Sequence, residues 1–299
     1  MIPTLNREHT IGNCLESIIK QDYPSLEVII VDGGSKDKTV PIALEYTAKI
    51  IYERGPLGKA RQRGFSASKG EVLGMFDSDI VLPSKDWLFK AVEKFDQNGG
   101  VGIVWAANQY APKNASIVAH CFFNLYRFFL RERLRKGEKL LPGGNSLILR
   151  KAFEEAGGFD PKLHFGEDLD LTHRIISLGY KMAIAEDPII HNTMCSLKEF
   201  TRKQIWAASS LQMQDRVRRK LVDICMTWTA EKNRNTRGRI VGDAFSKHIL
   251  ISLYGMIQGI AKDKDYSWLL LPLLLSIRLT THSAYFLKSE IIAVYKTLI

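Results

Sequence analysis

The sequence predicts an α/β layered domain over residues 1–195. Four strongly apolar runs recur in this region, and segments with the spacing of amphipathic helices separate them. The runs are EVIIV (27–31), KIIY (49–52), EVLGMF (71–76) and VGIVWAA (101–107). Strands this apolar are typically buried on both faces, which favours a largely parallel sheet between layers of helices. Ligands of such sheets bind at the carboxyl ends of the strands.

The helices follow from the spacing of apolar side chains. Ile11, Leu15 and Ile18 recur at intervals of four and three residues, which places them on one face of a helix. Further helical patterns cover 36–47, 84–97 and the longer basic stretch 113–136. Strand signals stop after about residue 195, so we divide the chain at that point.

Two helical segments are predicted to follow the α/β domain: a basic one, 196–240, and an apolar and amphipathic tail, 241–299. The tail contains the apolar runs 249–261 and 268–277, which are shorter than the roughly 20 residues that a membrane-spanning helix needs. We therefore expect a membrane-associating extension that lies in the interface. The alternative is an ordinary helical subdomain or dimer surface.

The charge of the chain favours anionic partners. Its 299 residues carry a net charge of +10, and residues 198–239 hold eleven Lys or Arg against four Asp or Glu. This segment is expected to contact acidic lipid head groups, or else to form a solvated helix face. Nucleic acid is not expected as a partner, because aromatic residues are not interleaved with the charge.

The cysteines predict neither a disulfide framework nor a zinc site, because no two of them are close in sequence. No signal peptide pattern precedes the first motif, so we expect reduced thiols and a cytoplasmic protein. The four cysteines are Cys14, Cys121, Cys195 and Cys225.

Two carboxylates directly follow the third apolar run. Asp77 and Asp79 stand two residues apart after VLGMF, and side chains at that spacing point the same way from an extended chain. Carboxylates held together repel unless a cation lies beside them. A divalent ion, Mg²⁺ or Mn²⁺, completed by a diphosphate is the expected occupant. An isolated D-x-D is also common in surface turns.

Two other segments carry polar groups suited to a nucleotide. Asp32 ends a predicted strand before Gly33 and Gly34, and its carboxylate could accept the ring N–H of uracil, thymine or guanine or simply belong to a turn. In the segment GPLGKARQRG, Lys59 and Arg61 offer charge-assisted donors to phosphate, unless they belong to a solvated helix.

The order of these motifs resembles the family 2 glycosyltransferases, which have the GT-A fold. The similarity is carried by IPTLNRE, VDGGSKDKT, GKARQRG, FDSD and the long segment from PGGNSLILR to GEDLDLTHR, and it covers about residues 1–195. It implies an inverting enzyme that transfers a sugar from a nucleoside diphosphate. A processive synthase is not expected, because no Q-x-x-R-W motif follows GEDLD.

The resemblance implies roles for individual residues. Thr4, Glu8 and Asp32 match positions that hold the nucleoside, and Arg61, together with Lys59, matches the diphosphate side. The pair Asp77 and Asp79 matches the metal- and ribose-binding D-x-D.

Further matches concern catalysis. Asp168 corresponds to the catalytic base, with Glu167 beside it, and His191 lies where some GT-A enzymes carry another metal ligand. A position in the first turn of a helix favours ionised carboxylates at Glu167 and Asp168. Residues 143–145 (GGN) either approach the acceptor or form a plain turn.

The sequence departs from the family at two points: the strand before PTLN is short, and Gln62 replaces the usual asparagine. The expected function is transfer of a sugar from a UDP or GDP donor to a hydroxyl or phosphate acceptor. A glycan or polyprenyl-linked acceptor at the cytoplasmic membrane face would explain the tail. The alternatives are a sugar-phosphate nucleotidyltransferase, disfavoured by the lack of a Gly-rich loop after the first strand, and a non-catalytic nucleotide-sugar-binding protein.

Overall fold

The structure of the protein is a computed structural model. It describes residues 1–46, 49–97, 99–135, 143–193, 196–212, 256–257, 260 and 265–277. Contacts divide the chain into two compact units. The first contains Met1–Lys113 and Arg133–Thr193, and the second contains Asn114–Glu132 and Met194–Ile299. Compared with a division at residue 195, this arrangement assigns most of the long basic helix to the second unit.

Strands and helices alternate along the first unit, as the apolar runs predicted. The strands are β1 (Ile2–Thr4), β2 (Ile29–Asp32), β3 (Lys49–Tyr52), β4 (Val72–Met75), β5 (Ile80–Val81), β6 (Val101–Trp105), β7 (Gln109–Tyr110), β8 (Ser146–Leu149), β9 (Lys181–Ile184) and β10 (Ile189–His191). Helices in the described part of the chain include α1 (Ile11–Ile19), α2 (Thr39–Leu44), α3 (Leu57–Ser66), α4 (Trp87–Gln97), α5 (Ile117–Arg135), α6 (Arg150–Glu155), α7 (Glu167–Ser177) and α8 (Leu197–Gln212).

Seven strands lie side by side in the order β3-β2-β1-β4-β8-β6-β9. Strands β1, β2 and β3 are parallel, as are β6 and β9. The main-chain nitrogen of Met1 donates to Gly74 O, and Phe76 N donates to Met1 O, which is the pattern of a parallel pair between β1 and β4. Only β8 is antiparallel to both of its neighbours, so the prediction of a largely parallel sheet is confirmed for this region with one exception.

The reversed direction of β8 determines what meets at the edge of the sheet. Ser146, the first residue of β8, pairs with Met75, the last residue of β4. The segment before β8 therefore lies at the carboxyl ends of the parallel strands. The strands β5, β10 and β7 follow β4 in the sequence and form a small second sheet in the order β5-β10-β7. In this sheet His191 of β10 pairs with Ile80 of β5.

The core of the first unit is packed on both faces of the sheet, as the apolar strands require. Every residue of β2 and β6 is buried. On one face, Trp87 packs edge-on against Phe76 among the side chains of α1 and α4. On the other face, Phe65 contacts Phe153 edge-on among the side chains of α3, α6 and α7.

Helix α3 is held against the segment that leads into α7. Gly58 N donates to Leu163 O at 2.9 Å, and Phe159 N donates to the side-chain oxygen of Gln62 at 2.8 Å. The amide of Gln62 therefore has a structural partner on this segment. The contact fixes α3 and the start of α7 relative to each other, and both helices supply charged residues to the site described below.

The second unit has an apolar core of its own. Cys121 and Leu125 of α5 pack with Phe200 of α8 and with Trp268 and Leu271. Residues 266–270 form a 3₁₀ turn, and residues 271–277 are helical. Most of the basic segment 196–240 and of the tail 241–299 lies outside the described residues. Among the described helices, none combines the length and hydropathy needed to cross a membrane. Cys14 and Cys121 are buried free thiols, and Cys195 and Cys225 lie outside the described residues.

Gly58 is expected to tolerate no side chain. A Cβ at Gly58 would lie 2.2 Å from Asp160 O, a backbone atom that cannot move aside without shifting the segment. We expect Gly58→Ala to lower the free energy of unfolding by about 2 kcal/mol or more, as overpacking does. Urea unfolding followed by circular dichroism measures this change.

Gly12, in helix α1, is the matched control. A Cβ there would make an ordinary contact at 3.4 Å with Ile42, so Gly12→Ala should raise the free energy of unfolding by about 0.5–1 kcal/mol through helix propensity. Equal effects of the two substitutions would contradict the packing described for α3.

Candidate metal and catalytic site

A buried arginine lies at the centre of the site. Arg61, on α3, is 3% exposed and is surrounded by carboxylates. Its guanidinium nitrogens lie 3.1 Å from Glu167 Oε1, 3.2 Å from Asp77 Oδ1 and 3.7 Å from Asp168 Oδ2. Burial works to lower the pKa of Arg61, but these three carboxylates raise it above its ordinary value. One positive charge faces three acids, so the cluster retains an excess of negative charge that favours a cation.

Asp77 is held at both carboxylate oxygens. Oδ1 accepts from Arg61 at 3.2 Å, and Oδ2 accepts from Asn145 Nδ2 at 3.1 Å. Asn145 Oδ1 also accepts from Asp77 N at 2.9 Å, so one amide fixes the main chain and the side chain of Asp77 together. Asn145 is buried, and its φ of 62° lies in the left-handed region.

His191 is oriented by Gln109. The side-chain nitrogen of Gln109 donates to Ala106 O, so its Oε1 faces His191 Nδ1 at 2.8 Å. This contact requires the proton of the neutral imidazole to be on Nδ1. Nε2 then directs its lone pair toward Asp79 Oδ1, 3.0 Å away. A nitrogen lone pair and a carboxylate oxygen at that distance require a proton or a metal ion to bridge them.

Asp77, Asp79 and His191 form a candidate metal site. One ligand atom from each residue lies within 4.8 Å of the other two. Asp77 and Asp79 therefore direct one oxygen each toward a common point, as expected from their spacing. Two carboxylates, one imidazole and a hydrogen bond that orients the imidazole fit a divalent cation. The imidazole nitrogen is a softer donor than oxygen, so the set suits Mn²⁺ better than Mg²⁺.

Glu167 and Asp168, the first residues of α7, differ in access. The Glu167 side chain is 2% exposed and binds Arg61, whereas that of Asp168 is 18% exposed. A Cβ placed at Gly144 would lie 3.4 Å from Asp77 Oδ2 and 3.6 Å from Asp168 Oδ2. Asp168 therefore borders the same small space as Asp77, directly beside the backbone of Gly144.

The surroundings of Glu167 oppose the ionisation that its position in the first turn of α7 favours. Burial raises its pKa to about 7, the charge of Arg61 opposes that shift, and Asp168 adds to it. A helix N-terminus stabilises a carboxylate by at most about 2 kcal/mol, which is less than the desolvation of a fully buried one costs.

The predicted nucleoside-binding residues lie on β1, on β2 and in the loop between β1 and α1. The buried hydroxyl of Thr4 has no hydrogen-bond partner among the described residues, so it remains available to a ligand. Asp32 is also buried, and it accepts from Gly34 N at 2.8 Å and Ser35 N at 2.9 Å. Glu8 accepts from Lys38 N at the start of α2. Asp32 thus stabilises its own turn, which is the structural role that the sequence analysis gave as the alternative to binding a nucleobase.

Lys59 is not part of the acidic cluster. It lies two residues before Arg61 on α3, and residues two apart on a helix point about 160° away from each other. Its ammonium pairs with Glu53 at 2.7 Å, and its side chain is half exposed. The structure therefore brings Arg61 to the acids and leaves Lys59 on another face of the helix.

Sequence reasoning missed two residues of the site. Asn145 was assigned to an acceptor segment or a turn, but it binds Asp77. The only signal was an asparagine after two glycines, a residue that tolerates the left-handed region. Gln109 gave no signal, because its contact with His191 depends on the pairing of β7 with β10, 80 residues later in the chain.

Residues 1–157 match the family described as Glycosyl transferase family 2. The chain belongs to this family. It is therefore a glycosyltransferase of the nucleotide-sugar-dependent type, and the order of motifs in the sequence predicted this membership. The site described above lies within the matched region and the α7–β10 segment that follows it.

Named relatives of this family 2 enzyme occur in archaea and bacteria. Glycosyltransferase AglE of Haloferax volcanii is 26% identical over 240 residues, which are 76% of this chain and 78% of that protein. The probable glycosyltransferase YdaM of Bacillus subtilis is 30% identical over 60% of this chain and 46% of its own length. The alignment with an uncharacterized glycosyltransferase of Rickettsia typhi covers 58% of that protein, so these two bacterial relatives are matched over about half their length.

Solved structures support the fold. A mannosyltransferase from Pyrobaculum calidifontis, in complex with GDP-Man and Mn²⁺, aligns with a TM-score of 0.58 at 20% identity and covers 99% of this chain and 86% of its own. TarS of S. aureus aligns with a TM-score of 0.50 at 17% identity over 95% of this chain and 54% of its own. These similarities show that the chain has a GT-A-like fold.

The raised pKa of Glu167 predicts a specific pH dependence of stability. Because the folded-state pKa is about 7 and the ordinary value is 4.5, the contribution of this group is fully present below pH 4.5 and is lost as the pH rises through 7. We expect the free energy of unfolding of the wild type, relative to Glu167→Gln, to fall by on the order of 3 kcal/mol across that window.

Urea unfolding at about pH 5 and about pH 8, in the presence of a chelator, measures this difference. Glu154→Gln removes a solvent-exposed carboxylate and is the matched control, for which no pH-dependent difference is expected. A wild-type to Glu167→Gln difference that does not change with pH would show that Glu167 is ionised throughout.

Proposed function

We propose that this enzyme is an inverting, metal-dependent glycosyltransferase that moves one sugar from a UDP or GDP donor to a hydroxyl or phosphate acceptor. The observation that carries the proposal is the common space bordered by Asp77 and Asp168 beside Gly144, with Asp79 and His191 completing a metal-ligating set around Asp77. A site that combines a divalent cation for a leaving diphosphate with a nearby exposed carboxylate suits this reaction.

The metal site would serve the leaving group. Asp77, Asp79 and His191 would hold Mn²⁺ or Mg²⁺, which when bound supplies Lewis-acid stabilisation of the charge that develops on the diphosphate. Arg61 balances the acids that surround it and holds Asp77 Oδ1 in place. The nearest charged partners of Arg61 are carboxylates of the protein. We therefore assign Arg61 to holding these carboxylates in place, in addition to its predicted contact with the diphosphate.

Asp168 is the proposed base. The acceptor oxygen must lose its proton while it attacks the anomeric carbon on the face opposite the leaving diphosphate. Asp168 is exposed to the space beside Gly144, and Asp77 lies across that space. Glu167 is buried and bound to Arg61, so we assign it to positioning Arg61 rather than to proton transfer.

The donor nucleoside would lie along β1 and β2. Thr4 would supply a buried hydroxyl that has no hydrogen-bond partner in the described part of the chain, and Asp32 would supply a carboxylate whose Oδ1 accepts from the Ser35 hydroxyl. Glu8 would contribute at the rim, where it also binds the start of α2. Lys59 would reach a diphosphate only by leaving Glu53, so its role is the weaker part of the assignment.

The acceptor is proposed to be a glycan or a polyprenyl-linked molecule at the cytoplasmic face of a membrane. The basic stretch 198–239 would contact acidic head groups, and the exposed side chains of Leu269 and Leu273 in the second unit would enter the interface. Membership in the glycosyltransferase family argues against the two alternatives raised by the sequence, which were a nucleotidyltransferase and a non-catalytic binding protein.

Replacing the proposed base should separate chemistry from binding. We expect Asp168→Asn to lower the transfer rate by about 10²–10⁴-fold, the usual contribution of a general base, and to leave donor affinity within about twofold. Calorimetry with UDP and with GDP, each with and without Mn²⁺, measures the affinity for the nucleotide and shows whether the donor carries uracil or guanine. Asp79→Asn should instead remove the effect of Mn²⁺ on nucleotide binding.

Asp170→Asn is the matched control on the same helix, since Asp170 forms its ion pair with Arg174 of α7 rather than with Arg61. Its transfer rate should stay within a few-fold of the wild type. If Asp168→Asn loses donor binding together with turnover, Asp168 belongs to the donor or metal site and the assignment as base is wrong.

Membrane contact can be tested with the full chain. We expect it to bind vesicles that contain anionic phospholipid, to bind vesicles of neutral phospholipid less tightly, and to be released as the salt concentration rises, because each basic residue near the surface contributes about 1 kcal/mol. Sedimentation with vesicles measures the bound fraction. Substituting the exposed Leu269 and Leu273 with Ser should weaken binding to both vesicle types, and salt-insensitive binding without lipid preference would contradict the proposal.

A further inference from the structure

We propose that Asn145 is a positioning residue that fixes the metal-facing oxygen of Asp77, and that the backbone before β8 is held in a left-handed conformation for this purpose. The inference rests on the proposed metal site and goes beyond it, because Asn145 is not itself one of the ligands. Three observations support it: the hydrogen bonds of the amide, the position of the oxygen that it binds, and the conformational cost of placing the amide there.

The hydrogen bonds determine which way the amide points. Asn145 Oδ1 accepts from Asp77 N at 2.9 Å, and Nδ2 donates to Asp77 Oδ2 at 3.1 Å. Exchanging the oxygen and nitrogen of the amide would set an N–H against an N–H and an oxygen against a carboxylate oxygen. The two contacts therefore require the same orientation, and they hold the carboxylate of Asp77 fixed relative to its own main chain.

The oxygen bound by Asn145 is the one that faces the metal site. Asp77 Oδ2 lies 4.0 Å from His191 Nε2, and that nitrogen lies 3.0 Å from Asp79 Oδ1. Asp77 Oδ1 is occupied by Arg61 at 3.2 Å. The guanidinium and the amide thus hold the two oxygens of Asp77 from different sides. Only Oδ2 combines proximity to His191 with a neutral donor, which can share the oxygen with a cation without charge repulsion.

Placing the amide there has a conformational cost. Asn145 has a φ of 62°, a conformation that costs a non-glycine residue roughly 1–2 kcal/mol, though less for asparagine. Glycine would adopt it freely but has no amide. The main chain is also fixed, because Asn145 O accepts from Ala106 N at 3.0 Å. A buried asparagine in this conformation, with both ends of its amide on one aspartate, indicates that the side chain is what the position requires.

Removing the amide should weaken metal binding to a similar extent in two variants that differ in stability. Residues that hydrogen-bond to metal ligands typically contribute 10–100-fold to metal affinity. We expect Asn145→Gly and Asn145→Ala to lose Mn²⁺ affinity by a similar factor in that range. The two variants should differ in stability, since glycine accepts the left-handed conformation and alanine does not. If the role of Asn145 were purely structural, Asn145→Gly would bind Mn²⁺ as tightly as the wild type, and only Asn145→Ala would lose affinity.

The experiment measures Mn²⁺ binding and melting temperature separately. Titration of Mn²⁺, followed by the electron paramagnetic resonance signal of the free ion with and without saturating UDP or GDP, gives the affinity without reference to turnover. Asn6→Gly is the matched control: Asn6 also has a positive φ, 52°, and its Oδ1 accepts from a distant main-chain nitrogen, that of Lys36. Its Mn²⁺ affinity should equal that of the wild type.

The outcomes separate this inference from the proposed function. If the wild type binds Mn²⁺, Asp79→Asn does not, and Asn145→Gly binds as the wild type does, then the metal site stands and the role of Asn145 is overturned. If the wild type itself binds no Mn²⁺ with either nucleotide, the proposed metal dependence is wrong and the role of Asn145 falls with it. Loss of affinity in both Asn145 variants, with Asn6→Gly unaffected, supports the inference.

Discussion

The ion cluster around Arg61 is the interaction on which the site depends. A guanidinium that is almost completely buried would be costly to desolvate alone, and three carboxylates from two segments of the chain offset this cost. Asp77 follows β4, whereas Glu167 and Asp168 begin α7, so Arg61 joins the segment after β4 to the start of α7, where the proposed base lies. Removing Arg61 would leave these carboxylates without their shared counter-charge.

Burial divides the acids of this cluster into two groups. Glu167 is sealed against Arg61, and its pKa is raised by desolvation, while Asp168 stays open to the space beside Gly144. Asp77 and Asp79 lie toward His191, whose imidazole is oriented by Gln109. Adjacent acids in the sequence thus acquire different chemical properties because the helix start and the strand end expose them to different surroundings.

One reversed strand explains how the loop before β8 reaches the site. The carboxyl ends of parallel strands meet at a single edge, and an antiparallel neighbour begins at that same edge. Strand β8 starts beside the end of β4, which places Gly144 against Asp77 and Asp168 and places Asn145 on Asp77. Asparagine tolerates the positive φ at this position while supplying an amide.

The sequence by itself determined the α/β alternation, most element positions and the family, because apolar periodicity and motif order are local properties of the chain. It also predicted Asp77, Asp79 and Asp168 as site residues, because their spacing relative to a strand end or a helix start already restricts where they can lie. The tertiary structure decided that Arg61 faces the acids while Lys59 does not, that Glu167 is buried, and that Asn145 and Gln109 hold Asp77 and His191. These outcomes depend on pairing between segments tens of residues apart and on desolvation inside the packed site, and neither quantity can be read from local spacing.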